Sequence, residues 1–136
     1  MNRLIKFRAK GFATENKWYF GGIHISLNNT YYMIFNCSDP TKYTMAVIKP
    51  ETLGQFTGLL DKNDTEIYEG DIVEISNNRY DVSWDDKLAA FTAVDTEFNE
   101  PYLMIDLDLN KTAVIGNIID NPNLIQQTGN NGLQNS

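Results

Sequence analysis

The sequence predicts a mainly β protein, built as a small antiparallel barrel or sandwich. Apolar and polar residues alternate with a period of two in many segments, which is typical of half-buried strands. Polar turn signals separate these segments at intervals of roughly 8–12 residues, a spacing that favours all-β folds over βαβ units. No segment of the sequence carries three turns of clean helical periodicity, so we do not expect long helices.

The composition is that of a chain with a compact core. The 136 residues have a mass of 15.5 kDa, and about a quarter of them are Leu, Ile, Val or Phe, above the roughly 20% below which chains usually stay disordered. No apolar run approaches the ~18–20 residues of a membrane-spanning helix, and residues 1–6 lack the apolar stretch of a secretory signal. We therefore expect a soluble protein that stays in the cytoplasm. A single cysteine and a single histidine exclude an internal disulfide and a zinc site made of Cys and His alone.

Charge is unevenly distributed along the chain. The formal net charge is −7, which opposes generic attraction to nucleic-acid phosphates. Residues 1–20 hold five basic residues against one acidic residue, whereas residues 51–108 hold three basic against fifteen acidic residues. Two arrangements remain open: the basic N-terminus lies on the acidic half of its own chain or of a neighbour, or the two regions form separately solvated faces.

The first half of the chain predicts a series of short strands. Residues 4–9 alternate strictly, which places Ile5, Phe7 and Ala9 on one face and the basic residues between them on a face exposed to water. β-branched and aromatic runs bounded by Gly, Asn and Pro predict further strands at residues 18–20, 23–25, 31–35 and 43–48. Residues 50–54 are too few for an independent helix and predict a single turn before a strand at 55–59.

The second half has the clearest turn signals. Residues 61–66 are an unbroken polar run, in which Asn63-Asp64 tolerates the left-handed backbone of a tight hairpin. We expect Gly70 to take a positive φ before a strand at 72–75. The remaining pattern predicts strands at 80–84, 88–94, 102–109 and 112–118, one helical turn over 121–125, and a disordered polar tail at 126–136.

Several blocks of the sequence occur in the order found in a known family. The middle blocks are PETLGQFTGL at 50–59, DKN at 61–63 and IYEGDIV at 67–73, and the two ends are IKFRA at 5–9 and VIGNI at 114–118, with NP at 121–122. With these blocks the chain resembles the YopX family of phage and prophage proteins over nearly its whole length. It departs from the family pattern at Lys10-Gly11, where Trp-Asp is usual, and at Asp64, where Gly is usual.

The resemblance implies a small antiparallel β subdomain over residues 1–50 and an SH3-like β-barrel over residues 51–125, followed by the tail at 126–136. It implies a protein that a phage or an integrated element encodes, acting in the cytoplasm of a bacterial host. The resemblance supplies no established activity and no catalytic residues.

The most regular family block has a structural and a functional interpretation. In the structural one, Tyr68 and Ile72 belong to the core, acidic side chains at a bulge accept backbone N–H bonds, and permissive backbone is needed at Gly54, Gly58 and Gly70. In the functional one, the region forms an exposed partner-binding patch. The candidate residues of that patch are Gln55, Tyr68, Glu69 and Trp84.

The sequence offers no complete metal or catalytic motif. One polar run resembles a calcium loop but lacks its sixth-position Gly and twelfth-position Glu, which favours a solvated hairpin tip, and its oxygen-bearing residues are Asp61, Asn63, Asp64 and Glu66. Cys37 and His24 match no nucleophile motif. Two pairs of acidic residues are expected to be exposed to solvent. Asp85-Asp86 is expected in a turn, and Asp106 with Asp108 on the solvent face of a strand. We therefore predict no metal, no cofactor and no catalytic activity.

The absence of such a motif and the turn-rich β pattern favour a non-catalytic accessory protein that binds an unidentified protein and self-associates. Its acidic half is then the partner surface. The alternative is a nucleic-acid-binding regulator, in which exposed aromatic residues lie beside a basic N-terminal strand. The basic residues of that alternative are Arg3, Lys6, Arg8 and Lys10. Neither hypothesis involves a membrane.

Overall fold

The computed structural model describes residues 3–14, 16–39 and 41–125, with the side chains of residues 36–38 left out. The chain divides into two compact units, Met1–Gly58 and Leu59–Ser136. This division falls within a strand, whereas the sequence suggested a boundary at the turn after residue 50. The tail predicted at residues 126–136 lies outside the described residues.

The first unit is an antiparallel sheet whose strands are ordered β4-β3-β2-β1-β5. A 3-10 turn at Pro50–Thr52 precedes the last of these strands, at the place predicted for a single turn. The strands are β1 (Phe7–Lys10), β2 (Trp18–Ile25), β3 (Tyr31–Asp39), β4 (Lys42–Val47) and β5 (Gly54–Leu60).

The two strands predicted at residues 18–20 and 23–25 are one continuous strand, β2, so the expected break at Gly21-Gly22 is wrong. Gly21 is needed there for close packing and not for a turn. A Cβ atom at this position would clash with the carbonyl oxygen of Ile34 on the neighbouring strand. Glycine inside a strand often marks such a close approach of two backbones.

The core of the first unit lies on one face of this sheet. Ala9, Met33 and Ile48 are buried there, with partly buried aromatic and aliphatic side chains around them. The predicted inward direction of Phe7 and Ala9 is confirmed, since both belong to this cluster. Ile5 differs from the prediction because it precedes β1 and is exposed.

The second unit contains a five-stranded antiparallel sheet with the order β10-β9-β8-β7-β11. Strand β5 continues into this unit at Leu59, and β6 is hydrogen-bonded beside it. Two 3-10 turns, Met104–Asp106 and Leu109–Lys111, lie between the last two strands. The strands are β6 (Glu66–Tyr68), β7 (Asp71–Ile75), β8 (Asn78–Asp85), β9 (Ala90–Asp95), β10 (Pro101–Leu103) and β11 (Ala113–Asn117).

The core of the second unit is centred on the buried side chains of Ile67, Val73, Val82, Ala93 and Met104. The long strand predicted at residues 102–109 is wrong, because the chain turns into the core at Met104 and leaves β10 only three residues long. The mainly β fold with antiparallel sheets is confirmed. No closed barrel is detected among the described residues, so the expected SH3-like barrel is not confirmed.

The turn predictions in the second unit hold. Asp64 has a φ of 62° and Gly70 has a φ of 94°, both in the left-handed region. Tyr68 and Ile72 are buried, as expected for core residues. Gly54 differs from its predicted role, because it is a buried residue inside β5 and its φ is not positive.

A short segment closes the second unit after β11. The Asn121 carbonyl accepts a hydrogen bond from the Leu124 amide, in the region where one helical turn was predicted. Arg79 holds this segment, since its Nη1 donates to the Leu124 carbonyl at 2.9 Å. Among the described residues no helix is long and apolar enough to span a membrane.

Candidate interaction surface

The face of the first unit's sheet that lies opposite its core carries aromatic and aliphatic side chains. Strand pairing assigns the members of this face, because directly opposed residues project to the same side. Ile34 is paired with Gly22 and Met45, and Tyr32 is paired with His24 and Val47. We call this the outer face, and its residues are Trp18, Phe20, His24, Tyr32, Ile34, Tyr43, Met45 and Val47.

Much of the outer face is accessible to solvent. Phe20 is 49% exposed, Tyr43 is 61% exposed, and Met45 and Val47 are about equally exposed at 40% and 41%. His24 is exposed and its ring lies 6.1 Å from that of Tyr32. A contiguous apolar patch on a sheet face is the kind of surface that proteins use for interactions.

The basic end of the outer face lies at strand β1. Arg8 is paired with Phe20 and Lys10 with Trp18. The Arg8 guanidinium lies 4.8 Å from the centroid of the Trp18 ring, and the Lys10 ammonium lies 5.4 Å from it. Cation–π contacts of this kind contribute about 0.5–2 kcal/mol each.

The prediction that the basic side chains of β1 lie on a face exposed to water is therefore wrong in part. Lys10 is only 7% exposed, and Lys6 lies 5.3 Å from the ring centroid of Phe56. Of the four basic residues in the nucleic-acid hypothesis, the structure brings Lys6, Arg8 and Lys10 to rings on this side of the sheet. Arg3 is exposed and precedes β1.

The structure does not assemble the predicted partner-binding patch as an exposed surface. Tyr68 is 2% exposed, and its hydroxyl donates a hydrogen bond to Glu66 at 3.1 Å. Gln55 and Glu69 are half-buried, with Gln55 in the first unit and Glu69 in the second. Trp84 does have the exposure that was expected, at 46%, and packs edge-on against Phe91 with 5.2 Å between ring centroids.

Asp61, the first residue of the calcium-like run, is a structural acceptor. The residue is 5% exposed, and its carboxylate accepts hydrogen bonds from the backbone amides of Asn63, Thr65 and Val114 at 2.8–2.9 Å. Burial raises the pKa of this carboxyl, but the three amide bonds and the charge of Lys62 outweigh it, and the net pKa lies below 3.8. Its carboxylate oxygens are thus used in organising the hairpin.

The other candidate chemical groups are also separate. His24 is paired with Tyr32 on β3, and Cys37 is five residues further along that strand. Asp85 accepts hydrogen bonds from the amides of Lys87 and Leu88. Over the described part of the chain, no cluster of three or more His, Cys, Asp or Glu side chains suits a metal ion.

A polar cleft of about 320 Å³ in the second unit was not predicted from the sequence. It lies where β7, β8 and β9 meet their turns. Three of its charged groups have structural partners: Arg79 contacts Glu74 at 3.7 Å, and Asp95 accepts from the Glu97 amide at 2.7 Å. The lining residues are Glu74, Asn77, Asn78, Arg79, Asp95, Thr96 and Glu97.

The outer face was also missed, although the sequence contained a signal for it. Residues 31–35 are a run of five apolar or aromatic residues without alternation, which indicates a strand that is apolar on both faces. The structure places Tyr31, Met33 and Phe35 in the core cluster and leaves Tyr32 and Ile34 on the outer face.

Comparisons with known proteins agree with this architecture. The crystal structure of protein EF1440 from Enterococcus faecalis is similar in fold, with a TM-score of 0.54 and 23% sequence identity, over 91% of this chain and 99% of that chain. No curated protein matches the chain significantly. The family described as YopX protein matches residues 6–126. The chain therefore belongs to the YopX protein family.

Proposed function

We propose that this protein is a non-catalytic β module that binds another protein and self-associates. A phage or prophage encodes it, and it acts in the cytoplasm of a bacterial host. The observation that carries the proposal is the outer face, where Phe20, Tyr43, Met45 and Val47 expose apolar area on one side of a sheet. Covering such a patch with a partner removes apolar surface from water, at about 25 cal/mol per Å².

The charge distribution supports a second contact region. The second unit holds fifteen acidic residues against four basic residues, whereas the first unit holds seven basic against three acidic residues. Charge of one sign on a unit steers partners of the opposite sign and speeds association. The acidic second unit is thus suited to a basic partner surface.

The strand order of the second unit supports an SH3-like module. Strands β7 to β10 follow one another as a meander and two 3-10 turns come next. Strand β11 then returns to pair with β7, the first strand of the meander. Because SH3-like folds host many different functions, a binding role for this unit has to be argued from its surface residues. The exposed ring of Trp84 belongs to the surface of this unit.

Self-association is tested by sedimentation velocity over a wide range of protein concentration. We expect a mass above 15.5 kDa that rises with concentration. Met45→Asp places a charge on the outer face and should weaken association at least about tenfold. Phe98→Asp is the matched control, because Phe98 is 69% exposed in a turn of the second unit. A monomer at every concentration would remove self-association from the proposal.

Nucleic-acid binding is the second candidate function, and the basic end of the outer face favours it. Arg8 lies against Trp18, which places a guanidinium beside a ring that can stack on a base. We expect gel shifts with single-stranded probes at low salt to weaken steeply as salt is raised, and Trp18→Ala to weaken them further. No shift of single-stranded, duplex or RNA probes at low salt would eliminate this candidate.

A further inference from the structure

Among residues 3–14, 16–39 and 41–125, no strand lies beside the outer backbone edge of β4 along most of its length. Strand β4 stands at the end of the strand order and pairs with β3 on its other side. The Ile48 amide donates to Tyr31 on β3, whereas the Val47 carbonyl accepts from Phe12 on the opposite side. Because backbone groups alternate in direction along a strand, those of Tyr43 and Met45 point away from β3.

This edge has few of the features that usually protect an edge strand. β4 has six residues, contains neither Pro nor Gly, and carries one charge, Lys42, at its first position. At the edge of the other sheet, β10 is three residues long and begins with Pro101. Short edges, prolines and charges prevent edge-to-edge pairing. The contrast leaves the β4 edge open to pairing with another strand.

We propose that the occupant of this edge is β4 of a second copy, so that two sheets join antiparallel about a two-fold axis at Thr44. This inference rests on the self-association in the proposed function and specifies its geometry. With the axis at Thr44, Tyr43 of each copy is opposite Met45 of the other, and these two pairs exchange four backbone hydrogen bonds. The contact is isologous, as in most protein dimers.

The side chains of β4 suit this register. Tyr43 and Met45 form apolar pairs across the axis on the outer face, which becomes continuous over both copies. Thr44 of one copy is opposite Thr44 of the other, and both side chains lie on the face of the sheet that is opposite the outer face. Thr–Thr pairs are favourable across antiparallel strands. Lys42 is opposite Ala46, so no like charges meet. The free edge ends at Val47, whose carbonyl is already bonded to Phe12.

The backbone contribution is tested with Tyr43→Pro and its matched control Tyr43→Ala. Both variants lose the ring, but only proline loses the outward N–H, a change that edge strands tolerate. We expect the fold and melting temperature to be similar in the two variants. Tyr43→Pro should weaken dimerisation at least about tenfold relative to Tyr43→Ala. Equal dimer affinities in the two variants would overturn the edge pairing.

The register is tested by crosslinking in full-length protein carrying Cys37→Ser. In a non-hydrogen-bonded antiparallel pair, opposed Cα atoms lie about 4.5 Å apart, which a disulfide can bridge. Thr44→Cys should therefore form a disulfide-linked dimer with oxidised glutathione as oxidant. Met45→Cys is the control, because its two copies would lie about 8–9 Å apart, beyond the reach of a disulfide.

The outcomes separate this inference from the proposed function. A dimer that Met45→Asp breaks, but that neither crosslinks through Thr44→Cys nor responds to Tyr43→Pro, would overturn the edge pairing and leave self-association through the outer face intact. A wild-type chain that stays monomeric at all concentrations would overturn both. Crosslinking through Thr44→Cys together with loss of the dimer in Tyr43→Pro would support both.

Discussion

Gly70→Val should destabilise the second unit by about 2–3 kcal/mol, because a β-branched side chain is strained at the φ of 94° that Gly70 adopts. The residue has little freedom to move. Its amide donates to the Val82 carbonyl at 2.7 Å, and its carbonyl accepts from the Ile118 amide at 2.9 Å. Relaxing the backbone of Gly70 would therefore disturb its links to β8 and to the segment after β11.

The two tryptophans allow this effect to be located, since Trp18 lies in the first unit and Trp84 in the second. Urea denaturation followed by Trp84 fluorescence in a Trp18→Phe background should show a lower midpoint for Gly70→Val. Gly70→Asn should lose less stability, because asparagine tolerates the left-handed region. Gly22→Val is the control, since a Cβ there contacts nothing within 4 Å. Unchanged stability of Gly70→Val would contradict the requirement for a positive φ.

Asp61→Ala should cost about 2–4 kcal/mol of unfolding free energy at neutral pH, because three backbone amides lose their acceptor. The bond to Val114 joins the 61–65 hairpin to β11 across 53 residues of sequence, so its loss should loosen both elements. Thermal and urea denaturation measure the effect. Asp64→Asn is the matched control, because it changes an exposed acid of the same hairpin and keeps the left-handed backbone.

The contribution of Asp61 should also depend on pH. Its folded-state pKa lies below 3.8, so folding favours the charged form and the stabilisation is fully present above the unfolded-state pKa of about 3.9. It is lost as pH falls through the folded-state pKa. The difference in stability between wild type and Asp61→Asn should thus be constant near neutral pH and shrink below about pH 4. A difference that does not change with pH would contradict a charged acceptor.

Sequence reasoning succeeded where the signal was local. The left-handed positions Asp64 and Gly70 follow from side-chain chemistry at tight turns, and the alternation at Phe7 and Ala9 follows from the pleat of one strand. It failed where the same residue type is compatible with two different local structures. Gly21 indicates a break, but also suits the close approach of a neighbouring strand, which is its role here.

The candidate surface was less predictable than the fold. Basic residues alternating in β1 predict a wet face, but the rings of Trp18 and Phe56, which come from β2 and β5, lie against them. Tyr68 was considered both as a core residue and as a recognition residue, and its burial at 2% exposure decided for the core. Both outcomes depend on which strands become neighbours.

The sequence by itself determined the mainly β fold, the places of its tight turns and the membership of the YopX protein family, because period-two patterns, turn chemistry and ordered motifs are written in consecutive residues. The tertiary structure alone decided which strands stand at the edges, which rings cover the basic residues and that Asp61 reaches Val114. These features depend on pairings between distant segments, whose free energies come from packing and hydrogen bonds that no short stretch of sequence contains.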